Sequence, residues 1–118
     1  MKFDDFRERT KSFAIRVIRF VASLPNSEPY KTIGRQLLHC GTSVGANYRA
    51  ACRARSKADF IAKMKIVEEE CDESLYWMEL IAKVSEVRSA VLGELMTECN
   101  ELLSMVVASI KTARSQNN

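Results

Sequence analysis

The sequence predicts an all-α protein, an up-down-up-down antiparallel four-helix bundle. Three observations carry that expectation. The 118 residues include only two prolines and four glycines, too few breakers for a fold of many short strands. Apolar residues recur at alternating spacings of four and three over four long segments, the period of a helix seam packed in a bundle. The connections between segments are short, which makes successive helices antiparallel neighbours. A chain of this length suits one domain, residues 1–118, with a core of useful size.

Helix 1 is expected from about Asp4 to Ser23. Its seam is Phe6, Thr10, Phe13, Val17, Phe20 and Leu24, widened by Ala14, Ile18 and Val21. Asp4 and Asp5 suit the positive end of the helix dipole. Lys2, Arg9 and Arg16 fall seven apart and form a basic edge beside the seam. Leu24-Pro25-Asn26-Ser27-Glu28-Pro29 then ends this helix and starts the next.

Helix 2 is expected from Tyr30 or Lys31 to Ala54, with Leu37, Gly41, Val44, Tyr48 and Ala51 as its seam. Glycine at a seam position lowers helix propensity by ~1 kcal/mol relative to alanine. The compensating gain is close approach of a neighbouring backbone or bulky side chain. Ser43 and Asn47 lie four apart on the flank of the seam. Two roles are open to them as structural polar residues: hydrogen bonds across to another helix, or a bond from Ser43 back to the His39 carbonyl. At ~100° per residue, Lys31, Arg35, Arg49, Arg53 and Lys57 share an arc of roughly 80°. That stripe has a plain reading, a solvated helix face, and a functional one, contact with nucleic-acid phosphates. Arg55 falls on the seam side and is a candidate for a structural ion pair.

Ser56-Lys57-Ala58-Asp59 has the capping-box spacing and marks the start of helix 3, expected over 57–84. Its seam is Phe60, Met64, Val67, Cys71, Leu75, Met78 and Ala82. A second stripe runs through Ile66, Glu73, Trp77, Leu80 and Val84, with Glu70 at its edge. A helix apolar on two sides is covered on two sides; in a bundle, the second cover is another subunit. Trp77 is the leading interface anchor, since aromatics concentrate at interface hot spots; the alternative is packing at the bundle margin. The acidic run Glu68-Glu69-Glu70-Cys71-Asp72-Glu73 raises a carboxylate metal site. Bundles of that kind use Glu-x-x-His, which does not occur in this chain, so the run reads as a solvated or salt-bridging face.

Ser85-Glu86-Val87-Arg88 reads as a turn with Ser85 as the N-cap. Helix 4 is expected over 86–113, with Leu92, Leu95, Cys99, Leu102, Val106, Ile110 and Ala113 as its seam. Met96, Leu103 and Val107 broaden that stripe. Lys111 and Arg114 suit the negative C-terminal end, and residues 115–118 read as a tail.

Composition narrows the function classes. The formal net charge is +3, too small by itself to imply a polyanion partner. Its distribution is uneven: residues 1–27 carry net +3, residues 28–57 net +5, residues 58–86 net −5, and the remainder is neutral. The basic helix 2 and acidic helix 3 therefore attract each other as well as any partner. No apolar run approaches the ~18 residues of a membrane span. Charge follows the N-terminal methionine where a signal peptide has an apolar region, so a cytoplasmic protein is expected. Cys40, Cys52, Cys71 and Cys99 then read as reduced thiols, without the close pairs of a zinc site. There is no Gly-rich phosphate loop, dinucleotide fingerprint or nucleophile motif. A non-enzymatic protein with no cofactor, no metal and no catalytic residues is expected.

One stretch resembles a known family. Ser43-Val44, Ala46-Asn47, Arg55-Ser56 and Asp59-Phe60 resemble the signature of bacterial four-helix-bundle proteins named for reading frames in intervening sequences of large-subunit ribosomal RNA genes. Glu73 looks like the glutamate of that family's third helix, and Val107-Ala108-Ser109-Ile110-Lys111-Thr112 is similar to its last helix. Where the family has Ala-Glu-Gly, this chain has Arg49-Ala50-Ala51, which removes a carboxylate and adds a cation. The resemblance implies a ring-forming homopentamer, consistent with the second stripe of helix 3. The accessory variability proteins of diversity-generating retroelements are similar in fold and associate with nucleic acid and a reverse transcriptase. Two expectations follow. One is a homo-oligomeric bundle binding structured RNA or DNA backbone through Lys31, Arg35, Arg49, Arg53 and Lys57. The other is an oligomeric scaffold that docks another protein.

Overall fold

The computed structural model describes residues 3–85 and 89–116. Four helices account for nearly all of them: α1 Phe3–Ala22, α2 Tyr30–Cys52, α3 Lys57–Val84 and α4 Ala90–Ser115. The extents, 52 × 20 × 19 Å, follow from helix length, since the 28 residues of α3 at 1.5 Å each rise ~42 Å. Each helix packs on two others, in the cycle α1–α2–α3–α4–α1, and the diagonal pairs do not meet. This is the four-helix bundle that the seams predict. The α2–α3 contact is the most extensive, and α1–α4 is the sparsest.

The seam residues form the core. Phe6, Phe13 and Val17 of α1 are buried with Leu37, Val44 and Tyr48 of α2, Met64, Val67 and Met78 of α3, and Leu95, Leu102 and Val106 of α4. Phe6 meets Tyr48 edge to face, with centroids 4.5 Å apart. The helical glycines of α2 do what their seam position implies. A Cβ on Gly41 would lie 2.9 Å from Cγ1 of Val17, and one on Gly45 would lie 3.2 Å from Oγ1 of Thr10. These two positions let α1 and α2 approach closely. Thr10 is itself buried, and its hydroxyl is satisfied by donating to the Arg7 carbonyl.

The sparse α1–α4 contact is tied by charge. The Arg9 guanidinium donates to both carboxylate oxygens of Glu98, at 2.8 and 2.7 Å, and to Glu101 at 2.8 Å. It also reaches Sδ of Met105. These bonds raise the already high Arg9 pKa further. Arg9 of the basic edge of α1 thus faces α4, and Arg16 lines the same groove beside Glu94 and Glu98; Lys2 lies outside the described residues.

Four expectations are corrected. Ala82 is exposed, and Ile81 and Ser74 are buried in its stead. A straight helix drifts ~20° per heptad against a strict 3.5-residue seam, and over the length of α3 the drift changes which residue faces inward. Ser85 is the C-cap of α3. The N-cap of α4 is Ser89, whose hydroxyl accepts from the Leu92 N–H; the expected helical residues 86–88 lie outside the described residues. Helix α2 stops at Cys52, two residues before Ala54, and residues 53–56 form a turn. Arg55 lies in that turn with an exposed side chain. It makes no ion pair among the described residues, because the helical geometry that put it on the seam has already ended. Its backbone N–H donates to Asp59. The start of α3 is otherwise the capping arrangement the spacing predicts, with the Asp59 N–H donating to the Ser56 hydroxyl at 3.0 Å.

Candidate functional site

The cations of α2 divide into two groups. Lys31, Arg35, Arg49 and Arg53 are all exposed. Lys31 and Arg35 sit near Glu28, whose carboxylate accepts from the hydroxyl and the backbone N–H of Thr32 at 2.6 and 2.9 Å. Those two bonds, with the charges of Arg35 and Lys31 behind them, hold Glu28 below the usual carboxylate range. The N-terminal end of the stripe is therefore partly offset by an anion. Arg49 lies ~21 Å beyond Arg35 along the axis, and neither it nor Arg53 makes a side-chain hydrogen bond or ion pair among the described residues. Arg53 is the C-cap, and its backbone N–H donates to the Ala50 carbonyl.

Lys57 does not belong with them. It is the first residue of α3, is half-buried, and donates its Nζ to the carbonyl of Gln116. Its place in the arc depended on a helix continuous through residues 53–56, and that helix is interrupted.

Two cations that the helix-2 arc leaves out lie close to Arg49. Arg7 and Lys11 of α1 line a trough of about 360 Å³ between α1 and α2 together with Arg49. Its floor and walls are Thr10, Ala14, Thr42, Gly45 and Ala46, and Glu8 is the only acidic residue among its described lining. The trough exists because the glycines of α2 and the small residues of α1 leave little bulk between the helices. Lys11 has no ion-pair partner among the described residues, and Arg7 has only a loose one, Asp4 at 3.8 Å and largely solvent-exposed. The wheel places Arg7 and Lys11 on a shared flank of α1, but only the bundle's handedness brings that flank to α2.

The polar pair of α2 resolves in favour of local bonding. Ser43 donates to the His39 carbonyl at 2.7 Å, and Asn47 donates to the Ser43 carbonyl at 2.8 Å. Neither side chain hydrogen-bonds to another helix among the described residues.

The second stripe of α3 lies on the outer flank beside α2. Ile66, Glu73 and Val84 are exposed, and Trp77 and Leu80 are half-buried. Two atoms here are buried without a hydrogen-bond partner among the described residues: Nε1 of Trp77 and Oε2 of Glu70. Burial pushes the Glu70 carboxyl above its ordinary value, and the neighbouring Glu73 charge adds to this against the pull of His39. Tyr76 packs edge-on to Trp77 with centroids 5.1 Å apart.

Among the described residues, no group of three or more His, Cys, Asp or Glu is placed to hold a metal ion. Cys40, Cys71 and Cys99 are buried, and Cys52 is half-buried. Burial pushes the Cys40 thiol up to about 11, far from the depressed value of a reactive thiolate.

The model of one protein family, described as 23S rRNA-intervening sequence protein, matches residues 5–108. The chain belongs to this family. The match runs from the first turn of α1 through most of α4 and so includes residues of all four helices. Among solved structures, a crystal structure from Bacteroides thetaiotaomicron VPI-5482 is similar at 31% identity. It is described as a protein with unknown function from the S23 ribosomal protein family. The similarity covers 94% of this chain and 99% of the other, with a TM-score of 0.86. No curated protein matches. No helix is long and apolar enough to cross a membrane among the described residues.

Proposed function

We propose that this protein is a non-catalytic, homo-oligomeric bundle that binds the phosphate backbone of structured RNA or DNA through the basic face of α2. The observation that carries the reading is the free state of Arg49 and Arg53, exposed cations with no partner among the described residues. Arg9 and Lys63, by contrast, are committed to ion pairs within the bundle. The family name, 23S rRNA-intervening sequence protein, is consistent with a nucleic-acid setting. Phosphate contacts of this kind position a protein on nucleic acid without reading base sequence. Each is weak, and repetition over the subunits of an oligomer raises the effective affinity.

The outer flank of α3 supports assembly with further copies of the same chain. Exposed Ile66 and Val84 adjoin the unpartnered Trp77 Nε1 and Glu70 Oε2. By resemblance, the assembly is a pentamer. The test of the binding reading is a filter-binding salt titration with a structured RNA. Affinity is expected at ~50 mM salt and falls steeply as salt rises. Absence of binding at ~50 mM salt, or affinity indifferent to salt, overturns the reading. Recovery of protein partners that survives nuclease treatment, with no nucleic acid bound, favours the protein-docking scaffold.

A further inference from the structure

We infer that the trough between α1 and α2 is the binding site itself, and that it takes one strand of a duplex by its phosphates, with Arg7 and Lys11 as binding residues equal in weight to Arg49 and Arg53. This deepens the reading above and rests on it. Both helices contribute cations to the trough: Arg7 and Lys11 from α1 and Arg49 from α2. Arg7 and Lys11 stand one turn apart on α1, about 6 Å along the axis; Arg49 lines the trough from α2, and Arg53, the C-cap of that helix, follows it beyond the lining. The floor between them is made of small residues, Ala14, Gly45 and Ala46, with the hydroxyls of Thr10 and Thr42. A phosphodiester strand can settle there without displacing a bulky side chain.

Ligand class follows from what the trough contains and lacks. Its lining carries three cations against one anion, Glu8, which selects a polyanion. Among its described lining residues there is no aromatic side chain, and so no platform on which unpaired bases stack. Proteins that hold single strands rely on such platforms for about 1–3 kcal/mol per base. Without them, affinity follows charge density, and duplex DNA offers one charge per ≈ 1.7 Å of its axis. A duplex is therefore favoured over a single strand of the same length. A lone inorganic phosphate meets one or two of these cations at a time and binds far more weakly.

The experiment measures fluorescence anisotropy of a labelled duplex and of a single strand of equal length at ~50 mM salt. Three variants of the full chain are compared with wild type, each checked for unchanged melting temperature: Arg7→Gln/Lys11→Gln, Arg49→Gln/Arg53→Gln and Ala46→Glu. The last adds a carboxylate to the trough at an exposed position and removes no cation. Wild type is expected to bind duplex several-fold tighter than single strand. Each variant is expected to weaken duplex binding about tenfold or more, and the two double variants to lower the log–log salt slope by about 2. If Arg49→Gln/Arg53→Gln weakens binding and the α1 variant and Ala46→Glu do not, the trough is not the site and the α2 reading survives. If wild type binds neither nucleic acid, the α2 reading falls as well. Single strand bound as tightly as duplex overturns the duplex assignment. Displacement of duplex by inorganic phosphate at matched ionic strength makes the trough a small-anion site and overturns it too.

Discussion

Replacing Gly41 and Gly93 separately with alanine gives opposite results in this fold. Both glycines lie inside helices, where alanine gains about 0.8–1.0 kcal/mol of intrinsic propensity. At Gly93, a Cβ meets nothing within 4 Å, so Gly93→Ala keeps most of that gain, about 0.5–1 kcal/mol. At Gly41, the Cβ falls 2.9, 3.1 and 3.3 Å from Cγ1, Cγ2 and Cβ of Val17. Val17 is fully buried and, being β-branched in a helix, has one strongly preferred rotamer. It cannot turn aside, and α1 and α2 must move apart. Overpacking of this kind costs about 1–3 kcal/mol, which leaves Gly41→Ala destabilised by about 0–2 kcal/mol after the propensity gain. Urea denaturation followed by circular dichroism measures both variants. In thermal melts each kcal/mol corresponds to about 3–6 °C for a chain of this size. Val17→Ala should relieve the Gly41→Ala clash, so the double mutant should be more stable than the two single effects predict by addition. Gly41→Ala as stabilising as Gly93→Ala would refute the account of the α1–α2 contact.

Three other predictions follow from the same structure. Arg9→Ala removes a bidentate bond to Glu98 and leaves that half-buried carboxylate unpaired, so it should cost about 1–2 kcal/mol and diminish the salt dependence of stability, read by urea titration at low and high salt. Glu70 has a folded-state pKa raised by burial, so the folded protein binds more protons than the unfolded chain. Its contribution to stability declines as pH rises from the unfolded carboxylate value through the folded one. Glu70→Gln should therefore stabilise at neutral pH and flatten the pH profile above the ordinary carboxylate value; a variant less stable than wild type at neutral pH contradicts this. Trp77→Glu should leave a folded bundle whose sedimentation coefficient falls to that of a monomer, and a wild type that already sediments as a monomer removes the case for the α3 flank as an interface.

The fold was legible because buried positions repeat. Phe6, Thr10, Phe13, Val17 and Phe20 of α1 are recovered from spacing alone, and so is the whole seam of α4. Even the close approach at Gly41 is implied by a glycine where a seam wants bulk. Ala82 was misplaced because a strict 3.5-residue period ignores the drift of a straight helix. Arg55 and Lys57 were misplaced for a different reason. Wheel arithmetic assumes an unbroken helix, and nothing between Cys52 and Ser56 in the sequence is a proline or glycine to announce the turn. The candidate site was only half legible. Arg49 and Arg53 share a flank by periodicity, but Arg7 and Lys11 join them only through the handedness of the bundle, which no single helix encodes. The same ambiguity assigned Arg9 and Arg16 to a basic edge without showing that α4 supplies its carboxylates.

The most direct test of phosphate binding is the salt dependence of duplex affinity for wild type and Arg49→Gln/Arg53→Gln. If these arginines contact phosphates, the slope of log affinity against log salt should become shallower by about 2, at ~0.9 per contact, with affinity reduced at low salt and little base preference in either protein. Equal affinity and equal slope for the two proteins would contradict the assignment of the α2 face as a nucleic-acid surface.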